Sequence, residues 1–509
     1  MKKPILSKEF IVSAILSFIH FCVTFFTDPI VFTALNDDLD SSKLFNYVFC
    51  KVILLLLLFF IYRTLFRIII NPDRKSTIEY QIIKYAGIYF IPIIAVLIFK
   101  LPQGFLSNDE SLIFAEAASL NSYTWFYYLT TYYYIICLML IPAWFGPVLV
   151  KVVIQLLVCG YVVYRIKKYT HGSKFSYLMY LSFLLPPVLA YTTSAHRIPV
   201  YYLLYLLLFF ILLMDMLENV IPSKQKLFWI LLLCAILTQW RTEGIYLAVT
   251  IPILIFIAYK TLRTKKSVLI IILSSLVIQY AVAIPQYGGL YADRLGDQAN
   301  NRMGPFWAYT ITNMFRNGLD LEKNAKDLEL VNRYIDVETI KAINNDLGDI
   351  NYEDALILYF EGYTGLKPEA TVEDYIAYTE GCKNIFLNNP DVLVKTKFGS
   401  FDYAARPYHM KPGIVNRCKD IVYDLYAPLL FIFLIWGFSI IRKKGFLFFA
   451  TSSVLCHFAI VFILSPASYF KYYFPIYMMG YFYIILGITL CISTKKDLHV
   501  RGRDANPFI

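Results

Sequence analysis

Apolar residues run through this chain in long blocks, broken by short polar, mostly basic stretches. Blocks of about 17–25 apolar residues are what an α-helix needs to cross a bilayer. Residues 10–27, 47–66, 82–100 and 145–164 form the first four, and further blocks run to Thr193, over 199–217, from Phe228 to Trp240, from Ile245 to Tyr259 and from Val268 to Ile284. Three more cover 421–441, 446–464 and 472–492. The pattern predicts an all-α polytopic membrane protein with about twelve transmembrane helices. Residues 123–142 are also apolar and aromatic. If both they and 145–164 crossed, Arg165, Lys167 and Lys168 would fall outside, against the positive-inside rule. The stretch 123–142 is therefore expected to lie on, or dip into, the outer face. Pro142, Gly146 and Pro147 supply the break before the next span.

Charge sets the orientation. Lys2, Lys3 and Lys8 precede the first block, and Arg63, Arg67, Arg74 and Lys75 close the second. Further cations fall at 165–174, at Lys224 and Lys226, at 263–266, at 442–444 and at Lys495–Lys496. With these loops inside, both termini are cytoplasmic in the cell membrane. The first block is a retained helix, because no A-x-A cleavage site follows it. The loop from Asp28 to Asn46 is then outside and acidic. Between 286 and 420 the pattern changes to Gly, Asn, Asp, Glu and Lys with no crossing-length block, which predicts one small, mainly helical extracytoplasmic domain. Leu328 to Asn345 and Val372 to Leu387 look helical, and Asn389-Pro390 and Lys411-Pro412-Gly413 are turn signals. The resulting division is 1–80, two helices; 81–285, a transmembrane module; 286–420, the outer domain; and 421–509, three helices and a tail.

Composition agrees: 58% of the 509 residues are hydrophobic and 16% charged. The net charge of +11 belongs to inner loops and does not call for nucleic acid. There is no CxxC pair among nine Cys, and no GxGxxG or GxxxxGK loop, so zinc-ribbon and nucleotide-driven chemistry are unsupported. Cys382 and Cys418 are the only Cys of the outer region, and are either bridged or two unrelated thiols. Ionisable residues are scarce within the apolar blocks.

Four polar groups gather at the outer ends. Asp109 and Glu110 follow the third block, with Glu116 seven residues after Asp109 on one helical face. His196 and Arg197 form the turn between the fifth and sixth blocks. Arg241 and Glu243 stand between two short blocks. Lys471 and Tyr472 open the last. Carboxylates able to take a proton, beside cations able to hold phosphate oxygens, suit an anionic lipid substrate. Plain structural roles fit each group as well. Ser107 and Glu110 have capping-box spacing. Lys471 suits a snorkelling anchor, His196-Arg197 an ordinary interfacial turn, and Arg241-Glu243 an ion pair.

The order of these features resembles the GT-C superfamily of membrane glycosyltransferases, which includes protein O-mannosyltransferases and lipid A aminoarabinose transferases. Its acidic first-loop motif is similar to Ser107-Asn108-Asp109-Glu110, and its Leu-Pro break to Leu185-Pro186-Pro187. Its "R-P-E-G"-like motif resembles Arg241-Thr242-Glu243-Gly244, with Thr for Pro. Its "R-Y-x-x-P"-like start resembles Lys471-Tyr472-Tyr473-Phe474-Pro475, with Lys for Arg. The likeness covers about 80–285 and the last spans. It implies a polyprenyl-phosphate-sugar donor and inverting transfer to an extracytoplasmic glycan, lipid or protein. It also implies Asp109 as general base, with Glu110 beside it and Glu116, Glu243 and Tyr472 in support. The cations at His196, Arg197, Arg241 and Lys471 would hold the donor phosphate. An acidic residue in this family sometimes binds a divalent cation, and nothing in the sequence requires one. A polysaccharide polymerase or ligase would instead rely on outer-domain arginines (Arg294, Arg302, Arg316, Arg406, Arg417). A twelve-helix flippase or transporter is the non-enzymatic alternative.

Overall fold

A computed structural model describes residues 8–37, 39–70, 73–100, 108–121, 127–287, 306–346, 367, 369–409, 411–465 and 468–498, with the side chains of 8, 37, 74, 108–109, 345–346 and 494–498 excepted. The described secondary structure is helical. Nine helices are long and apolar enough to cross a membrane, among the described residues. Phe26, Ile30, Val277 and Tyr280 stand well over half exposed along them, a surface that lipid covers and water would not. The chain is a multi-pass helical membrane protein.

The chain divides into two compact units: Met1–Tyr291, Phe431–Ser453 and Met478–Ile509 form the first, Ala292–Leu430 and Val454–Tyr477 the second. The first begins with α1 (Lys8–Val31), α2 (Ser41–Ile70), α3 (Ile78–Lys100), α4 (Asn108–Ala118) and α5 (Tyr128–Leu140). It continues with α6 (Gly146–Tyr169), α7 (Tyr180–Leu184), α8 (Pro186–Thr192) and α9 (Ile198–Leu217). Then come α10 (Lys224–Trp240), α11 (Leu247–Ala258) and α12 (Lys265–Tyr287). The most buried of these is α9, where Tyr201, Tyr202 and Tyr205 have no exposed surface. α3 lies along α6 so closely that a Cβ at Gly160 would meet the backbone at Ala86. Such small-residue contacts let membrane helices approach where no hydrophobic force drives them together.

Three of the twelve predicted blocks form something other than one long helix. The fifth is a 3-10 turn plus α7, bent by 62° from α8 at Leu185-Pro186. Proline removes a backbone donor and cannot continue the preceding helix. The seventh and eighth are α10 and α11, of 17 and 12 residues, joined through the Arg241–Gly244 turn. The stretch 123–142 yields α5, whose 13 residues span about 20 Å, short of the ~30 Å hydrocarbon core. It is mostly buried, packed by α1, α2, α4, α6 and α10.

The second unit holds α13 (306–316), α14 (Ala325–Asn332), α15 (Val337–Asp346), α16 (Val372–Asn388), α17 (Pro390–Ala405) and α18 (Ile414–Val422). Ala308, Ile311, Met314, Val331, Ile340 and Tyr378 fill its core. The helical stretch read over 328–345 is broken, because Asp336 caps α15. Its carboxylate accepts from the Thr339 N–H at 3.0 Å and hydroxyl at 2.6 Å. A capping box of Thr371 and Asp374 starts α16. The backbone N–H and hydroxyl of Thr371, with Arg333 at 2.8 Å, hold the Asp374 carboxyl down to about 2. Cys382 is buried in the core and Cys418 is exposed on α18, both as free thiols. The last helices, α19 (Tyr426–Ile441), α20 (Gly445–Leu464) and α21 (Phe474–Leu498), each run from one unit into the other.

The apolar blocks carry more buried charge than the sequence suggested. α1 continues through Pro29, so Asp28 belongs to the helix and not to the following loop. It pairs with Lys51 of α2, and both are nearly fully buried. Asp215 of α9, with no exposed surface, takes Arg165 at 3.3 Å, Lys226 at 2.5 Å and the Tyr259 hydroxyl. That knot ties the ends of α6, α9, α10 and α11 together. Each charge inside an apolar block was visible as a residue type. Its partner, tens of positions away, was not.

Candidate functional site

The acidic stretch forms α4, and the first two helices hold its C-terminal end. Asn121 N–H bonds the Glu116 carbonyl at 2.9 Å and Leu120 N–H bonds Ala117 at 3.0 Å, a Schellman turn. The turn places Leu120 at φ +56°, in the left-handed region that non-glycine residues avoid. Complete burial of its side chain offsets that strain. The Asn46 amide caps the Leu120 carbonyl at 2.8 Å and itself accepts from Tyr132 at 2.8 Å. Thr33 N–H reaches Ala118 at 3.1 Å. Thus α2, α5 and the chain just past α1 position α4.

At the other end of α4, Glu110 shares a buried face with Ile113 and Ala117. Its carboxylate lies 3.0 Å from Nδ1 of His196. His196 is held by the turn that precedes α9. Lys151 of α6 donates to the carbonyls of Ser194 and His196, the latter at 2.6 Å, and the Tyr134 hydroxyl donates to Ala195. Three successive carbonyls are thereby satisfied by side chains from α5 and α6. The imidazole also lies 5.2 Å from the Tyr191 ring. Lys151 is 1% exposed. Its charge interacts with Glu110 and with Lys100, whose ammonium caps Ala190 at 2.6 Å. Half-buried Arg197 and buried Glu110 both lie within electrostatic reach of Tyr134.

Four helices and the turn before α9 thus bring together Glu110, His196, Arg197, Tyr134, Lys151 and Lys100. The sequence pointed to the first three. Lys151 carried a signal, a lysine in the run Leu149-Val150-Lys151-Val152-Val153, which marks function or a buried partner. Tyr134 carried none, being one of three consecutive tyrosines. Asp109 is the second residue of α4 and Glu116 is half-buried on it. The side chain of Asp109, like Ser107, lies outside the described residues.

Arg241 and Glu243 form a forked ion pair, Nε to Oε2 at 3.1 Å and Nη2 to Oε1 at 2.5 Å, with Arg241 8% exposed. The turn packs tightly: a Cβ on Gly244 would lie 2.7 Å from the Leu237 carbonyl oxygen and 3.0 Å from the Tyr201 hydroxyl. Gly244→Ala is therefore expected to lower stability by about 1–3 kcal/mol, read as a fall in Tm of the purified protein. An unchanged Tm would mean that this turn is loose.

Compared with protein-family models, curated proteins and solved structures, the chain matches none. Its chemistry is read from its own residues.

Lys471 and Tyr472 belong to the second unit, in the 3-10 turn Phe470–Tyr473 before α21. The Lys471 ammonium lies 4.8 Å from the Tyr469 ring, a cation–π contact, and Tyr472 packs on the second unit's core. Of the outer-domain arginines, Arg316 donates to Asn344 at 3.3 Å, Arg406 pairs with Asp402 at 2.6 Å and Arg417 is exposed. Arg294 and Arg302 lie outside the described residues. Among the described residues no group of three His, Cys, Asp or Glu is placed to hold a metal ion. Glu110 and His196 are potential ligands, but they engage each other.

Proposed function

We propose that the chain is a GT-C-like membrane glycosyltransferase of twelve crossings, with both termini in the cytoplasm and 286–420 outside it. It moves a sugar from a polyprenyl phosphate to an acceptor hydroxyl. Asp109 takes the hydroxyl proton as the acceptor oxygen bonds to the anomeric carbon. The bond from that carbon to the phosphate oxygen breaks on the opposite side, and polyprenyl phosphate leaves with inversion. Arg197 and Arg241 hold the phosphate, with His196 beside them. Glu110, beside His196, orients the start of α4. Glu116 and Glu243 support these groups.

The observation that carries the reading is the Glu110–His196 contact, with Lys100, Lys151 and Arg197 around it at the ends of apolar helices. Ionisable side chains gathered at such a depth are expensive without a task. The test is incubation of the purified protein with a synthetic polyprenyl-phosphate hexose and a panel of glycan, lipid and peptide acceptors, following release of polyprenyl phosphate. No release with any acceptor or with water counts against the reading.

Two further outcomes follow. Arg241→Lys is expected to weaken donor binding about tenfold, because an ammonium cannot serve Glu243 and a phosphate with one planar fork. Titration of the lipid donor measures it, and equal affinity moves the phosphate site elsewhere. A membrane-impermeant maleimide added to intact cells is expected to label exposed Cys418, and Cys418→Ser to remove that label. Labelling only after lysis would invert the topology.

The buried pairs Asp28–Lys51 and Asp215–Arg165 favour a second reading, an ion-coupled transporter. A transporter would move the lipid-linked sugar intact, so donor cleavage separates the two.

A further inference from the structure

A second cluster, wholly within the second unit, has no part in the proposed transfer. Phe306, Trp307, Phe386, Leu393 and Phe462 wall a pocket of about 430 Å³, a size that suits part of a small amphiphile. Two lysines line it. Lys383 of α16 is exposed at its edge, whereas Lys397 of α17 is 8% exposed. The Lys397 ammonium bonds the Thr310 hydroxyl at 3.1 Å and the Ser465 carbonyl at 3.4 Å, and lies 4.8 Å from the Phe306 ring. No carboxylate among the described residues faces it, and burial alone pushes it down to about 7. A buried cation without a counter-charge is costly unless something else brings the anion.

The pocket's position names the source. One wall, Phe462 to Leu464, is the C-terminal end of α20, one of the membrane-crossing helices. Leu387, Val394, Phe398, Ile463 and Leu464 are each close to half exposed or more. They continue the lipid-facing surface of α20 onto α16 and α17.

We propose that this pocket binds an anionic membrane lipid from the leaflet that the end of α20 reaches, its phosphate on Lys397 and Lys383 and one acyl chain against the aromatic walls. Charge selects the headgroup, and the apolar lining distinguishes a lipid from a free anion. The site stands whether or not the chain transfers sugar.

Full-length protein in nanodiscs tests it with dibromo-acyl lipids, which quench nearby tryptophan. The Trp307 signal is isolated as the difference from Trp307→Phe. Brominated phosphatidylglycerol is expected to quench that signal well beyond brominated phosphatidylcholine. Native mass spectrometry is expected to show about tenfold weaker phosphatidylglycerol retention in Lys397→Met and a smaller loss in Lys383→Gln. Retention by the wild type should also fall as pH rises through about 7, since the phosphodiester charge is constant and the Lys397 ammonium is lost. Equal quenching by the two lipids, or full phosphatidylglycerol retention in the lysine variants, overturns the proposal. The quenching arm and Lys383→Gln decide it even if Lys397→Met does not fold.

Discussion

Asp109→Asn is expected to abolish transfer from a polyprenyl-phosphate sugar while leaving the protein folded. The amide keeps the size and shape of the carboxylate but cannot accept the acceptor's proton, and loss of a positioned base costs about 10²–10⁴ in rate. Donor binding should hardly change, because the proposed phosphate contacts are cations elsewhere. The neighbouring Glu110→Gln provides the contrast. Glu110 is 2% exposed, with its carboxylate 3.0 Å from His196 Nδ1, so its neutralisation should lower Tm as well as rate. Single-turnover assays, lipid-donor titration and thermal unfolding of the two variants separate chemistry from scaffold. Wild-type turnover in Asp109→Asn would remove the base from that position and leave Asp109 as an ordinary first-turn residue, favoured there by the helix dipole.

The second large effect concerns stability. Lys51→Met should destabilise the protein by about 3–5 kcal/mol, because it leaves the Asp28 carboxylate buried with only the Tyr47 hydroxyl as partner. The Lys51 ammonium donates to Thr24 at 2.6 Å and lies 4.3 Å from the Phe25 ring, while the Tyr47 hydroxyl donates to Asp28 at 2.5 Å. Asp28 and Lys51 are both nearly fully buried between the two helices. Replacing both charges, Asp28→Leu with Lys51→Met, should recover most of the loss, less about 1 kcal/mol for the Tyr47 bond. Unfolding in mixed micelles measures all three. If the double variant is as unstable as Lys51→Met, shape rather than charge holds the pair. A stable double variant that is active in transfer would also remove ion coupling through this pair as a necessary step.

The two effects bear on each other through the architecture. α1 and α2, which resemble no part of the glycosyltransferase pattern, hold the acidic helix at Leu120 and Ala118. Loosening their ion pair should therefore also disturb α4.

Residue order alone determined the class of the molecule. Membrane helices advertise themselves, because the bilayer rejects unpaired backbone polar groups and demands about 20 apolar residues per crossing. The Leu185-Pro186 break was legible for a similarly local reason: proline acts on its own helix. The acidic cluster was legible because a carboxylate beside an apolar block is rare.

Tertiary structure decided what these signals meant. Sequence spacing could suggest a capping box for Glu110. Only packing placed the carboxylate 3.0 Å from His196, 86 positions later. Spacing could offer Arg241 to a phosphate, and only the turn geometry showed its fork already on Glu243. Tyr134 looked like an interior residue of an apolar stretch, and Lys151 was marked only as a charge within one. They gain a role because α5 and α6 converge on three backbone carbonyls of one turn. The distant partners of Asp28, Asp215 and Lys397 were invisible for the same reason. An apolar block records how a helix meets lipid, whereas its buried charges are chosen by whichever helix the fold lays beside it.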